Sequence, residues 1–283
     1  MNQHNPLGVM EGRLLPKYLG RYQAHPVGYW QDEFAQAAKL GLDCIEFILD
    51  FNDAAVNPLL RPDGPEEMLK LVERTGVKVH TVCADYFMEA PMHHSDDSVA
   101  GESQGVLCRL LAQGKALGLT DIVIPCVDLS SLKDAATQDR FVEHLEPLVA
   151  DAEAAGINLA LETDLAPQPF AELLARFDSC RVTVNYDTGN SAALGYDPAE
   201  ELACYGKRVS DVHIKDRLLG GSSVVLGTGN TRFERFFGAL TPLGYTGPFI
   251  MQAYRDDEGV AVFKQQLAWM KEHFAPWFGE DRL

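Results

Sequence analysis

Eight short apolar runs, each separated from the next by a helical stretch, constrain the fold of this 283-residue chain more than any other feature. The runs are rich in β-branched residues and are apolar on both faces, which is typical of strands in a buried parallel sheet. They cover residues 7–11, 44–49, 77–84, 121–127, 158–163, 182–188, 209–215 and 248–254. Eight consecutive strand–helix units predict an α/β fold.

The stretches between the runs carry apolar residues at helical spacing, as at Phe141, Leu145 and Leu148. Several of them end in a glycine just before a strand, which predicts a left-handed helix terminus there. These glycines are Gly41, Gly76, Gly118, Gly156 and Gly244. Because no linker or change of composition interrupts the pattern, we expect one domain over residues 1–283, a single (β/α)8 TIM barrel. A doubly wound open sheet is the alternative, but no glycine-rich dinucleotide turn follows the first strand.

Composition narrows the class of function. The chain has 41 acidic and 24 basic residues and a net charge of −17, which argues against a nucleic-acid partner. No apolar run is long enough for a membrane span, and the first residues do not have the pattern of a signal peptide. The six cysteines form no Cys-x-x-Cys pair, so we expect reduced thiols in a cytoplasmic protein.

Polar residues close several of the predicted strands, at the barrel end where TIM barrels carry their functional side chains. Four of them lie on consecutive strands five to eight: Glu162, Asp187, His213 and Gln252. Two carboxylates, an imidazole and an amide oxygen form a ligand set for one divalent cation. Mn²⁺ or Mg²⁺ suits the oxygens best, and the histidine also permits Co²⁺ or Zn²⁺. The alternative is that each residue separately caps a helix or satisfies a buried backbone group.

Five segments together resemble the xylose isomerase-like sugar isomerases and epimerases, a group of barrels that includes endonuclease IV. They are LALET, DTGN, DVHIKDR, LGTGN and YTGPFIMQ. The resemblance implies that Glu162, Asp187 and His213 occupy three metal-ligand positions. It places Gln252 in the fourth, where ketose 3-epimerases usually have glutamate, and matches Lys215 and Asp216 to an H-x-K-D segment.

The amide at Gln252 changes the chemistry that the resemblance implies. Those epimerases use two glutamates to exchange one substrate proton from opposite faces, and Glu162 remains available as one of them. A carboxamide neither accepts nor releases a proton near neutral pH, although its oxygen can still bind a cation. The candidates for the missing group are His80 at the end of the third strand, Lys215, and Glu89 in the segment that follows the third strand. His80 could instead be a structural hydrogen-bonding residue, and Glu89 a solvated loop acid.

Other residues are candidates for substrate binding. Arg13, Arg217 and Arg255 follow strand ends and could bind a phosphate or carboxylate, or form salt bridges at the rim. Glu89 and Asn190 are further candidates. Asn190 also stands where the resemblance places a histidine in endonuclease IV, which disfavours DNA repair chemistry.

The sequence therefore predicts a metal-dependent isomerase or epimerase acting on a sugar or sugar phosphate. Proton transfer next to a carbonyl would proceed through a metal-stabilised enediolate. An inosose dehydratase-like lyase and a non-catalytic sugar-binding barrel remain alternatives. We expect a small-molecule partner, no nucleic acid or membrane, and, by resemblance, a homo-oligomer.

Overall fold

The computed structural model describes residues 4–278, in which eight parallel strands close into a barrel in the order β1-β8-β7-β6-β5-β4-β3-β2. This confirms the predicted (β/α)8 barrel, and the remaining residues of the predicted domain, 1–3 and 279–283, lie outside the described part. The strands are β1 Leu7–Met10, β2 Cys44–Ile48, β3 Lys78–Cys83, β4 Asp121–Cys126, β5 Asn158–Thr163, β6 Val182–Asp187, β7 Val209–Ile214 and β8 Phe249–Met251.

Helices lie between the strands and end where the sequence predicts. The α-helices are α1 Gln31–Lys39, α2 Gly64–Thr75, α3 Tyr86–Glu89, α4 Asp97–Leu117, α5 Ala135–Ala155, α6 Pro167–Leu174, α7 Thr188–Leu194, α8 Pro198–Tyr205, α9 Phe233–Leu240 and α10 Val260–Phe278. Short 3₁₀ turns cover Tyr18–Gly20, Ala54–Val56, Asp128–Ser130, Gly206–Arg208 and Thr241–Leu243. The five predicted terminal glycines have positive φ angles of 66° to 75°.

The apolar core has two parts, because successive strand residues point alternately towards the helices and into the barrel. The larger part lies between strands and helices and includes Val9, Phe47 and Ile124. The smaller part fills the barrel interior and consists of Met10, Cys44, Ile48, Cys83, Val123, Ala160 and Ile250. Above this apolar layer the inward positions become polar, and these positions form the candidate site.

Three local features differ from the sequence expectation. The segment that follows β3 contains an additional short helix, Tyr86–Glu89, before α4 begins at Asp97. The last strand is shorter than expected, because the Gln252 backbone N–H donates to the Ile250 carbonyl and leaves the sheet. A two-stranded antiparallel hairpin, Asp216–Arg217 with Ser223–Val224, follows β7.

The structure also bears on the membrane and cysteine predictions. Within residues 4–278, none of the helices combines the length and the apolar character that crossing a bilayer requires. All six cysteines lie in the described part and are free thiols, with Cys44, Cys83 and Cys126 buried.

Candidate active site

A cavity of about 540 Å³ opens at the carboxyl ends of the strands, which we call the mouth. The polar side chains of its wall are placed by the strands, in which every second side chain points into the barrel. On β7 the inward positions are Asp211 and His213, and the next step of two reaches Lys215. The same step leads from Cys83 to Asp85 beyond the end of β3.

Glu162, Asp187 and His213 converge at the base of the mouth and form the acid–imidazole cluster. One ligand atom from each lies within 4.8 Å of the other two. The His213 Nδ1 atom is 3.9 Å from Glu162 Oε2 and 4.0 Å from Asp187 Oδ2. Ligand atoms that share one ion at roughly 2.0–2.2 Å lie roughly 3–4 Å apart, so this cluster fits a divalent cation. The structure thus brings together three of the four predicted ligands.

The fourth predicted ligand, Gln252, is linked to the cluster by hydrogen bonds from Lys215. The Lys215 ammonium donates to Gln252 Oε1 at 3.0 Å and to Asp187 Oδ2 at 3.2 Å. Gln252 is 5% exposed, so its amide is held almost wholly within the protein. The ammonium therefore binds two oxygens that the sequence assigns to a metal ion.

Glu162 is placed to exchange a proton. Its pKa is raised to about 7: burial and the Asp187 carboxylate raise the pKa, whereas His213 and Lys215 lower it. Asn190 donates to Glu162 Oε1 at 2.6 Å, and Asn185 lies 3.3 Å from Oε2. A carboxyl group with a pKa near 7 is present in both protonation states at neutral pH.

Asp187 has a second contact that fixes its orientation. Its Oδ1 atom accepts the backbone N–H groups of Gly189 and Asn190 at 2.8 Å each and so caps α7. The other oxygen, Oδ2, is left to face Lys215 and His213.

The imidazole of His213 is anchored from below by Glu46. Glu46 Oε1 lies 2.6 Å from His213 Nε2, and Thr81 donates to Glu46 Oε2 at 2.5 Å. Burial raises the pKa of Glu46 to about 7 and raises that of Asp211 strongly. Asp211 Oδ1 accepts the backbone N–H of Val212 at 2.8 Å, and its other oxygen, Oδ2, is buried without a hydrogen-bond partner. Glu46, Asp211 and His213 are also close enough to one another to hold an ion, and all three side chains are completely buried.

The structure does not bring His80 to the site, so its prediction as the missing base at the mouth is wrong. Its side chain lines a separate cavity at the amino ends of the strands, beside Asn158 and Tyr245. The pairing of β2 with β3 passes from Ile45–Val79 to Glu46–Thr81, so His80 is the extra residue of a bulge.

Two of the three predicted anion-binding arginines are structural. Arg255, 3% exposed, donates to the carbonyls of Gly12 and Leu15 at 2.7 and 2.8 Å. Arg13, 1% exposed, donates to the Ala253 carbonyl at 3.1 Å. Neither lines the mouth cavity. Both guanidinium groups instead satisfy backbone carbonyls near the ends of the first and last strands.

Three other predicted contacts do line the cavity: Arg217, Glu89 and Asn190. Arg217 donates twice to the Gly221 carbonyl, at 3.0 and 2.8 Å, and once to Asn190 Oδ1 at 2.8 Å. Asp216, in the same segment, accepts backbone N–H groups of Gly227, Gly229 and Thr231 and holds the LGTGN turn.

Sequence reasoning missed four cavity residues: Arg21, Gln23, Asp50 and Asp85. Arg21 pairs with both oxygens of Asp50. The two aspartates could have been found from the sequence, because each lies two residues beyond the last inward residue of its strand. Asp50 follows Ile48, and Asp85 follows Cys83. Gln23 lies in the segment between β1 and α1, where no periodic pattern marks it.

The mouth cavity is acidic. Its wall includes the acidic residues Asp50, Asp85, Glu89, Asp128, Glu162 and Asp164, against the basic residues Arg21, Lys215 and Arg217. Arg21 and Lys215 are already paired with Asp50 and Asp187. The surplus of carboxylates favours a cation at the cluster and disfavours an anionic ligand.

Comparison with known proteins gives consistent matches over nearly the whole chain. The family model described as xylose isomerase-like TIM barrel matches residues 34–273. The L-ribulose-5-phosphate 3-epimerase UlaE of Salmonella paratyphi A is 26% identical over 291 residues, covering 97% of each chain. The solved 3-keto-D-glucoside 4-epimerase YcjR from E. coli has a TM-score of 0.74 at 17% identity, covering 95% of this chain and 99% of its own. D-allulose 3-epimerase from Methylomonas sp., in complex with D-allulose, has a TM-score of 0.75 at 16% identity, covering 96% and 98%. The structural matches show a shared fold.

Proposed function

The chain belongs to the xylose isomerase-like TIM barrel family, and on that premise we propose that it is a divalent-metal-dependent isomerase or epimerase of a small sugar. The convergence of Glu162, Asp187 and His213 beside a cavity of sugar size is the observation that carries this proposal. The epimerases among its relatives support the reaction type.

The acid–imidazole cluster would hold the ion, and Gln252 Oε1 is a further oxygen beside it. Oxygen ligands favour Mn²⁺ or Mg²⁺, and the imidazole permits Co²⁺ or Zn²⁺. A bound divalent ion supplies positive charge that stabilises negative charge on a substrate carbonyl oxygen.

The side chains of the mouth have distinct parts in the reaction. Glu162 takes the proton from the carbon next to the carbonyl, because its carboxyl group lies in the wall of the cavity that would hold the sugar. Asn190, through its 2.6 Å hydrogen bond, holds that carboxyl group in place. The ammonium of Lys215 lies beside the same cluster and adds positive charge near the reacting oxygens.

A dehydratase is the second candidate function, and the amide at Gln252 favours it. Loss of water from a sugar needs one group to remove the proton and a second to assist the leaving hydroxyl group, so it does not require two matched carboxylates. The products separate the two functions, since an epimerase conserves mass and a dehydratase releases 18 Da of water.

The test is an assay of the purified chain on free and phosphorylated ketopentoses and ketohexoses in D₂O. Chelation should abolish hydrogen exchange next to the carbonyl, and a divalent ion should restore it. Asp187→Asn keeps an oxygen to cap α7 but removes the charge facing the cluster. We expect it to lose at least about 100-fold in kcat, equivalent to roughly 3 kcal/mol.

Asp197→Asn is the matched control, because Asp197 caps α8 in the same way but lies outside the mouth cavity. It should retain full activity. Full activity after chelation, or in Asp187→Asn, contradicts the proposal. The homo-oligomeric state and the cytoplasmic location stay predictions.

A further inference from the structure

One further glutamine, Gln23, connects Gln252 to a second carboxyl group in the wall of the mouth cavity. Gln252 Nε2 donates to Gln23 Oε1 at 2.9 Å, and Gln23 Nε2 donates to Asp85 Oδ2 at 2.8 Å. Asp85 Oδ1 lies 3.2 Å from the Cys83 thiol, which donates to it. Asp85 is half-buried, and its open side faces the mouth cavity.

Two cations, one beside each glutamine, determine which way the two amides point. Lys215 can only donate, so the oxygen of Gln252 must face it. Arg13 donates to Gln23 Oε1 at 3.0 Å, so the oxygen of Gln23 is also fixed and its NH₂ group points to Asp85. The row of hydrogen bonds therefore has one direction, and it ends on a carboxyl group.

This direction explains why residue 252 is an amide. A glutamate there would place a carboxylate against Gln23 Oε1, which Arg13 holds in place. A carboxylate at position 252 would need a donor from Gln23, but the NH₂ group of Gln23 already donates to Asp85. The local structure accepts a carboxyl group at position 85 and not at position 252.

We infer that Asp85 is the second proton-transfer group of the site, in place of the carboxylate that Gln252 lacks. The inference rests on the proposed function. Glu162 takes the proton from the substrate carbon, the C–H electrons form the carbon–carbon double bond of an enediolate, and Asp85 returns a proton to that carbon from its own side. Glu162 ends protonated and Asp85 ionised, and exchange with water in the open cavity resets both groups.

The charges and hydrogen bonds around Asp85 are compatible with a role in proton transfer. Burial raises its pKa, hydrogen bonds from Gln23 and Cys83 lower it, the Asp50 carboxylate raises it, and His213 lowers it. A carboxyl group with a raised pKa is a better proton donor near neutral pH than an exposed aspartate.

The test compares hydrogen exchange in D₂O for the two epimers of one substrate. The wild-type protein should exchange the hydrogen of both epimers and interconvert them. Asp85→Asn should exchange only the epimer whose C–H bond faces Glu162, and its epimerisation should fall by at least about 100-fold. A structural role for Asp85 would instead lower exchange from both epimers alike.

Asp197→Asn is the matched control and should behave as wild type. Metal affinity and thermal melting of Asp85→Asn should also match wild type, which shows that the site is intact. Epimerisation by Asp85→Asn within threefold of wild type overturns the inference, as does an equal loss of exchange from both epimers. A wild-type protein that exchanges the hydrogen of no ketose overturns the proposed function, and this assignment with it.

Discussion

Glu46 Oε1 lies 2.6 Å from His213 Nε2, inside a barrel where both side chains are completely buried. Because the carboxyl group accepts the Nε2 proton, the lone pair of His213 is on Nδ1, towards Glu162 and Asp187. Asn185 Nδ2 lies 3.0 Å from that Nδ1 atom, which agrees with the same tautomer. Glu46 thus makes His213 a ligand with a defined direction.

Glu46→Gln is expected to weaken binding of Mn²⁺ by about 10- to 100-fold, because the imidazole loses the charge that fixes its tautomer and raises its basicity. Calorimetric titration of the metal-free protein measures this change. Glu201→Gln is the matched control, since Glu201 is also a buried glutamate, held by the hydroxyls of Tyr186, Ser191 and Tyr205. Equal Mn²⁺ affinity of Glu46→Gln and wild type would contradict the prediction.

Lys215→Met is expected to tighten Mn²⁺ binding several-fold while lowering kcat. The ammonium occupies Asp187 Oδ2 and Gln252 Oε1 and repels a second cation at close range. Methionine keeps most of the side-chain length without the charge.

The matched control is Arg217→Met, which removes a cation of the same cavity that contacts Asn190 and Gly221 instead. It should leave Mn²⁺ affinity within about twofold of wild type. Weaker Mn²⁺ binding in Lys215→Met would show that the ammonium supports the ion, contrary to this expectation.

The acidic wall of the mouth predicts a preference for an unphosphorylated sugar. A phosphate group carries roughly two negative charges, and the cations Arg21 and Lys215 are already paired with carboxylates. We expect kcat/KM of a free ketose to exceed that of its phosphate ester by at least about tenfold. The KM of the ester should fall as salt rises from about 20 to about 200 mM, because salt screens repulsion. A KM that rises with salt would reveal an anion-binding site and contradict the prediction.

Arg255→Ala is expected to lower stability rather than substrate affinity. Its guanidinium group satisfies the carbonyls of Gly12 and Leu15, which would be left without these donors. The cost should be at least about 2 kcal/mol in urea unfolding. Arg232→Ala is the control, because the Arg232–Asp197 pair is exposed and should contribute less than about 1 kcal/mol. Wild-type stability with a raised KM would restore Arg255 as a substrate contact.

Much of the site was predictable because a strand repeats every two residues, and that repeat can be read locally. It led to Glu162, Asp187 and His213 on three neighbouring strands, and from His213 to Lys215. The same step of two points to Asp85 beyond Cys83. His80 was misassigned because β3 continues to Cys83, which leaves His80 near the amino end of the strand. The bulge at His80 also depends on how two strands pair, which neither strand encodes alone.

The amino-acid sequence by itself determined the eight strands, the glycine helix ends and, away from the bulge at His80, the alternating direction of the strand residues, since these follow from short-range periodicity and backbone preference. Only the tertiary structure decided which distant side chains meet. Gln23 contacts Gln252, 229 positions away, because barrel closure places β1 beside β8. The tertiary structure also decided that the guanidinium groups of Arg13 and Arg255 are buried. They donate to the carbonyls of Ala253 and Gly12, where the first and last strands meet, and no local sequence pattern reveals that these carbonyls need donors.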